Sequence, residues 1–303
     1  MSAPGEHGWT ARAIGGFALI TLVWGSTWLV IKDQVGSVPP SWSVVWRFAL
    51  ACIGMFALAR LRGEPLKLGA AGQRLAVLVG VLQFCLNFQF VYRAEQYLTS
   101  GIVAVLFALL MVPNALLARR FLGQRITRGF LTGSAIALSG IALLLLHEYR
   151  LAPPGAQVPL GVAFTLVALL SASAANVLQA GPQAHRHSPV SLLAWAMLWG
   201  VLADLVVALA LYGAPRFEPR PAYFGGIAYL ALMGSVLTFP IYARLLRDLG
   251  PGRAAYSSVI IPVVAMLLST LFEGYEWSLL AAAGSVLVAA GLVVALRARR
   301  PSR

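Results

Sequence analysis

The side chains of this sequence that could do chemistry are few, and most stand inside long apolar runs. Gln83 and Asn87 are four residues apart, Ser173 and Asn176 are three apart, and Tyr256, Ser257 and Ser258 are consecutive just ahead of Pro262. Helical residues three or four apart share one face, so each group presents neutral donors and acceptors in one direction. Such groups can hold the amino and carboxylate ends of a small zwitterion. In a membrane interior polar side chains usually turn to the bundle interior or a cavity. Plain interhelical hydrogen bonding is the competing use, worth ~0.6 kcal/mol on average.

Trp24 with Trp28, and Trp195 with Trp199, repeat the four-residue spacing. Trp9, Trp42 and Trp277 suit an interfacial belt. Trp24 and Trp199 fall near the midplane instead, where indoles would wall a cavity favouring apolar or aromatic substrate side chains. Arg47 and Asp204 are the only charges well inside apolar runs. At 1.5 Å of rise per residue their depths agree within a few Å, so the two are expected to pair, as a structural or gating contact. Snorkelling of Arg47 and proton coupling by Asp204 are the alternatives.

Other chemistries are disfavoured by what is missing. His7, His147, His185 and His187 fall in ends or connections, and no HExxH, P-loop or nucleophile elbow occurs. No metal, cofactor or catalytic centre is expected, and an intramembrane enzyme is disfavoured. Cys52 and Cys85 both lie in apolar runs, which excludes a disulfide scaffold.

These residues must be positioned by helices. The chain has 303 residues, 59% hydrophobic and 11% charged, with a mean hydropathy of +0.81. Soluble domains carry about 25% charged residues. Apolar runs near 12–32, 42–61, 74–94, 98–118, 128–147, 158–180, 189–212, 222–243, 252–272 and 276–296 predict ten membrane spans. The first is too long for a signal-peptide core and no small-residue cleavage site follows it, so it reads as a retained helix. Connections are short and leave no room for a soluble domain. Of the 23 Lys and Arg residues, 17 fall on one side of these spans, five on the other and Arg47 within one. The positive-inside rule then places both termini in the cytoplasm. The net charge of +13 is spread over span ends rather than gathered in a patch, so nucleic acid is not an expected partner.

An internal repeat is visible. The fifth span reads GSAIALSGIALLL from Gly133 and the tenth GSVLVAAGLVVAL from Gly284, each with a second glycine seven residues on, Gly140 and Gly291. Pro113 lies 20 residues before Gly133 and Pro262 lies 22 before Gly284, so the match slips by two. Five spans per half is odd, so residues 1–150 and 151–303 are expected to form two inverted repeats, a plan many secondary carriers use around a midplane site.

Taken together, Trp24-Gly25-Ser26-Thr27, Arg47-Phe48 and the paired Pro…Gly-Ser…Gly segments resemble the drug/metabolite transporter superfamily, EamA-type ten-helix carriers matching best. Phe121-Leu122-Gly123-Gln124-Arg125 is similar to that family's Leu-Gly-Glu-Arg, with Gln124 replacing the acid; in the second half the equivalent acid is Glu273 or Glu276. In general character the chain is most similar to YddG-type aromatic amino-acid exporters. The resemblance implies an all-α basket of ten helices around a central cavity, in a bacterial inner membrane, sufficient as a monomer. It implies export of small neutral metabolites by alternating access, amino acids including aromatic ones fitting best. Trp24, Trp28, Gln83, Asn87, Asn176, Trp195, Trp199, Tyr256, Ser257 and Ser258 are then the substrate-binding candidates, and Gly101, Pro113, Pro240 and Pro262 the hinges. Proton-coupled drug or metabolite efflux is one alternative. A nucleotide-sugar or phosphorylated-metabolite carrier of the same fold is another, although a phosphate would want several deep cations.

Cysteine labelling checks the topology. Cysteines replacing Pro65 and Pro301 are expected to react from the cytoplasm, and one replacing Phe217 from outside. Labelling of position 301 from the outside would break the even span count.

Overall fold

The structure, a computed structural model, describes residues 11–36, 38–123, 125–152, 154–242 and 257–298. All regular structure among them is helical. The helices are α1 (Ala11–Gln34), α2 (Pro40–Leu61), α3 (Gly69–Ala94), α4 (Ser100–Leu122) and α5 (Arg128–Leu151), then α6 (Val158–Ala180), α7 (Pro189–Tyr212), α8 (Pro221–Tyr242), α9 (Ser257–Phe272) and α10 (Leu279–Arg297). Eight of them are long and apolar enough to cross a membrane; α9 and α10 hold shorter apolar stretches. One end of the bundle carries Lys32, Glu95 and Glu273 and is poor in cations. The other carries most of the arginines.

Local chemistry sets the boundaries. Proline occupies the first turn of α2, α6, α7 and α8, where its missing N–H would have had no helical partner anyway. Gly123 (φ 68°) and Gly274 (φ 67°) close α4 and α9 in the left-handed conformation, which a residue with a Cβ adopts reluctantly. Helix α4 therefore runs to Leu122, four residues past its expected end. Gly123 and Gly274 are 151 positions apart, as are Gly133 and Gly284. In that register position 124, itself outside the described residues, is matched by Tyr275 and by neither Glu273 nor Glu276.

Two helices depart from α geometry at matching places. Gly80–Leu86 of α3 and Tyr229–Leu237 of α8 are wide π-helical turns, features that often sit at functional sites. In α8 the cause is visible. Pro240 cannot bond the carbonyl four residues back and its ring crowds it, and the wide turn just ahead absorbs the conflict. Pro113 acts similarly in α4, where Leu109 and Leu110 interrupt the helix with tight turns, their N–H groups reaching Leu106 O and Phe107 O at 3.0 and 2.9 Å. Pro262 lies inside α9 without a described break. Gly101 also sits in regular helix. A Cβ there would lie 2.6 Å from Met266 Sδ, so it permits close α4–α9 packing.

The glycines of the repeat serve contact. Helices α5 and α10 cross closely: a Cβ on Gly140 would lie 2.5 Å from Gly284 O, and one on Gly133 would lie 2.6 Å from Gly291 O. Small residues let membrane helices approach so far that backbone meets backbone. The four glycines pair crosswise, each half giving one member to each contact. Gly80 of α3 likewise meets Gly200 of α7, with 3.0 Å between its notional Cβ and Gly200 N.

Gly140→Leu is accordingly expected to lower the thermal midpoint in detergent, by ~1–3 kcal/mol of overpacking. Gly15→Ala has no neighbour within 4 Å and should leave it unchanged. Equal midpoints for both would refute this reading of the α5–α10 contact.

Candidate functional site

Arg47 enters the interior from α2 and is almost fully buried. Its guanidinium carbon lies 4.4 Å from the Phe88 ring centroid and 4.9 Å from that of Phe48, a cation–π seat. A Cβ on Gly234 would lie 3.7 Å from Arg47 Nη2, so the wide turn of α8 keeps a glycine against the charge. Around it run Phe48–Phe84 at 5.2 Å, Phe48–Phe88 at 4.7 Å and Phe84–Phe239 at 5.8 Å. Trp28 meets Phe107 at 5.1 Å. All of these rings, from α1, α2, α3, α4 and α8, belong to or pack on one core cluster, which α6 and α7 also join.

Polar atoms without partners occur on the helices that carry these rings and on α6. Among the described residues Trp28 Nε1, Gln83 Oε1, Asn87 Oδ1, Ser173 Oγ, and Nε and Nη1 of Arg47 have none. Leaving such a group buried and unpaired costs roughly 1–3 kcal/mol each. Gln83 and Asn87 stand together at the wide turn of α3, with Asn87 Nδ2 donating to Gln83 O at 3.3 Å. Asn176 Nδ2 donates to Asn114 Oδ1 at 3.5 Å, linking α6 to α4 beside Pro113.

Several other candidates are occupied with the fold. Trp24 Nε1 donates to Thr238 Oγ1 at 2.9 Å and Gly234 O at 3.2 Å, tying α1 to α8. Trp195 donates to Leu66 O at 2.8 Å and Trp199 to Gln73 Oε1 at 3.0 Å, fastening α7 to the connection before α3 and to α3 itself. The structure gives those two indoles tethering contacts rather than open cavity walls. Ser257 is buried at the start of α9, whereas Tyr256 and the side chain of Ser258 lie outside the described residues. Trp42 is fully buried and stacked on Trp46 at 5.7 Å rather than interfacial. His147 is inside α5, bonded to Glu276 O and Ser278 Oγ at 2.9 Å each.

Arg47 and Asp204 do not meet. The ion pairs among the described residues all involve Arg220, with Asp33 and Glu218. Asp204 instead accepts from Gln89 Nε2 at 2.7 Å, and Gln89 Oε1 accepts from Ser41 Oγ at 2.6 Å and Arg93 Nη1 at 2.7 Å. Equal depth fixes only height along the membrane normal. The direction each residue faces around its helix separates the two. Gln89 and Arg93, four apart on α3, were the readable signal for a partner to Asp204.

At the cation-poor end, Lys32 donates to the carbonyls of Glu95 at 2.5 Å and Leu98 at 2.9 Å, and so caps the C-terminal end of α3. Glu273 caps the start of α4 by accepting from Ser100 N at 3.2 Å and Ser100 Oγ at 2.5 Å. A cavity of about 560 Å³ opens here between α1, α8 and α9, lined by Lys32, Asp33, Tyr229 and Glu273 among others.

The chain matches the model of the EamA-like transporter family over residues 11–146 and again over 159–297. It is 26% identical over 268 residues to "Protein PagO" of Salmonella typhimurium, covering 86% of this chain and 85% of that one. It is also 26% identical over 298 residues to the same organism's "Probable amino-acid metabolite efflux pump", covering 94% and 96%. To the "Uncharacterized inner membrane transporter YedA" of Escherichia coli it is 29% identical over 267 residues, covering 86% and 82%. A solved crystal structure with 17% identity superposes with a TM-score of 0.69, covering 96% of this chain and 99% of the other, which shows the shared fold.

Double-mutant cycles separate the two wirings of Asp204. Gln89→Ala and Asp204→Ala should couple by more than ~0.5 kcal/mol, whereas Arg47→Met and Asp204→Leu should add within about that margin. Coupling in the second cycle and additivity in the first would restore the Arg47–Asp204 pair.

Proposed function

The chain belongs to the EamA-like transporter family, and from that premise we propose that it exports small neutral metabolites, amino acids including aromatic ones, across a bacterial inner membrane. That it is a membrane transporter follows from the family alone. The single observation that carries the finer reading is the set of unpartnered polar atoms on Trp28, Gln83 and Asn87, on helices whose Trp28, Phe84 and Phe88 rings belong to or pack on one aromatic core. Hydrocarbon leaves no water to satisfy such groups. A polar ligand with an apolar or aromatic side chain satisfies both the orphaned atoms and the rings. The name of the Salmonella relative matched over 298 residues points the same way.

In this reading ten spans cross the membrane, both termini are cytoplasmic and the cation-poor end faces outward. The two stretches matched by one family model and the crosswise glycine contacts of α5 and α10 support two inverted repeats, residues 1–150 and 151–303, as alternating access requires. The helix break ahead of Pro113 and the wide turn ahead of Pro240 are the flexing points; Gly101 and Pro262 serve packing. Trp28, Gln83, Asn87 and Asn176 with Asn114 contact substrate. Trp24, Trp195 and Trp199 hold the walls. No catalytic step, metal or cofactor enters this mechanism, and one copy of the chain suffices.

Uptake of radiolabelled amino acids into proteoliposomes tests it. Gln83→Ala and Asn87→Ala should each lower phenylalanine transport about tenfold, the loss of one buried hydrogen bond of roughly 1–2 kcal/mol, with thermal stability nearly unchanged. Trp199→Ala should instead lower stability and reduce transport of every substrate alike, since its indole braces Gln73. Lower stability in the first two variants, with equal loss for all substrates, would make Gln83 and Asn87 packing residues.

A further inference from the structure

Three charges, Arg47, Glu95 and Asp204, are buried in this bundle without an ion-pair partner among the described residues. Glu95 is fully buried, and neither of its carboxylate oxygens has a hydrogen-bond partner there. Arg47 has no partner at Nε and Nη1. An uncompensated charge in low dielectric is among the costliest things a fold can hold. Asp204 has Gln89 at one carboxylate oxygen, whereas Glu95 has no partner at either oxygen and Arg47 none at two of its nitrogens.

Helix direction turns the two toward each other. Side chains on an α-helix tilt toward its N-terminus. Helix α2 starts at the cation-poor end, so Arg47 points up toward that end. Helix α3 finishes there, and Glu95 follows it in helical conformation (φ −69°, ψ −9°), so its side chain points down into the bundle. The two make no ion pair with each other; the Tyr92 hydroxyl is the polar group acting most directly on Arg47, and Lys32 is the cation acting most strongly on Glu95. Between them Tyr92 OH donates to Gln34 Oε1 at 3.2 Å, and Gln34 Nε2 is left without a partner.

Each of the other charges packed near the pair has a hydrogen-bond partner of its own. Lys32 gives its ammonium to the carbonyls of Glu95 and Leu98 and makes no ion pair with the Glu95 carboxylate. Glu273 is held by Ser100. Asp204 is bonded to Gln89.

We propose that Arg47 and Glu95 are the two poles of a zwitterion subsite: Arg47 takes the substrate's α-carboxylate and Glu95 its α-ammonium. This deepens the carrier reading above and rests on it. A guanidinium offers a fork of donors matched to a carboxylate. The carboxylate of Glu95 offers acceptors to an ammonium. The aromatic shell of Phe48, Phe84, Phe88 and Phe239 lies on the Arg47 side, ready for the apolar remainder. The substrate class narrows to α-amino acids, and amines or carboxylic acids lacking the second charge are excluded. Each would leave one pole buried and unpaired.

Competition against labelled phenylalanine in proteoliposomes tests the assignment, with L-phenylalanine, phenethylamine and 3-phenylpropionate as competitors. In the wild type each one-charge analogue should compete at least tenfold more weakly than phenylalanine. Arg47→Gln should lose the discrimination against phenethylamine while keeping that against 3-phenylpropionate. Glu95→Gln should do the reverse. Arg47→Lys, which keeps the charge without the fork, should keep the preference for a carboxylate at lower affinity, and it serves where Arg47→Gln fails to fold. Wild-type phenylalanine transport with equal competition by all three compounds would overturn this proposal and leave the carrier reading intact. So would variants that weaken all competitors alike. A wild type that moves no amino acid would overturn both.

Discussion

The structure depends on one constraint: in hydrocarbon, a polar group must find its partner inside the protein. Most of this chain obeys it closely. Lys32 closes the end of α3 and Glu273 the start of α4, where free carbonyls and N–H groups would otherwise face a bilayer. Asp204, fully buried, is reached by Arg93 only through Gln89. The Trp24, Trp195 and Trp199 indoles each find an oxygen. Other buried polar atoms lack a partner, among them Asp204 Oδ2 and the hydroxyls of Ser134 and Ser285, but one group of them is gathered together. They belong to Trp28, Gln34, Arg47, Gln83, Asn87 and Glu95, on three neighbouring helices of the first repeat or at the end of one.

Rigid and compliant parts are divided by residue type. Where glycine meets glycine, between α5 and α10 and between α3 and α7, backbones interlock too closely to slide without separation. Where proline removes a hydrogen bond, as in α4 and α8, the helix has already broken or widened. The unpartnered polar atoms lie beside the compliant parts: Gln83 in the wide turn of α3, Asn87 just after it, Arg47 against the wide turn of α8. A helix with an extra residue in a turn has alternative bonding patterns close in energy, which is what a moving element around a ligand needs.

Much of the helical plan was legible in the sequence, because apolar runs and their caps are local signals. The Gly-Ser segments were legible too, since their glycines recur at one spacing and meet in one contact between α5 and α10. The wide turns were not. Gly80 carries no mark that distinguishes a π turn from an ordinary glycine, and the close approach of α7 beside it leaves no local signal. Gln83 and Asn87 were readable as polar residues out of place, but Glu95 was hidden at a span end, where an acid looks solvated. The Arg47–Asp204 pairing failed because depth says nothing about azimuth. The tether of Trp199 was hidden for a related reason: residue count places the indole near the midplane but does not show that its ring nitrogen reaches Gln73.

The central claim is that the unpaired polar atoms among the rings are where substrate sits. Crystals soaked with 4-iodo-L-phenylalanine test this most directly, through the anomalous signal of the iodine. The account predicts an iodine peak within the aromatic interior of Trp28, Phe84, Phe88 and Phe107, with the amino-acid end toward Arg47. A single peak in the apolar groove of Phe121, Leu117 and Leu178 between α3, α4 and α6, with the interior empty, would contradict it.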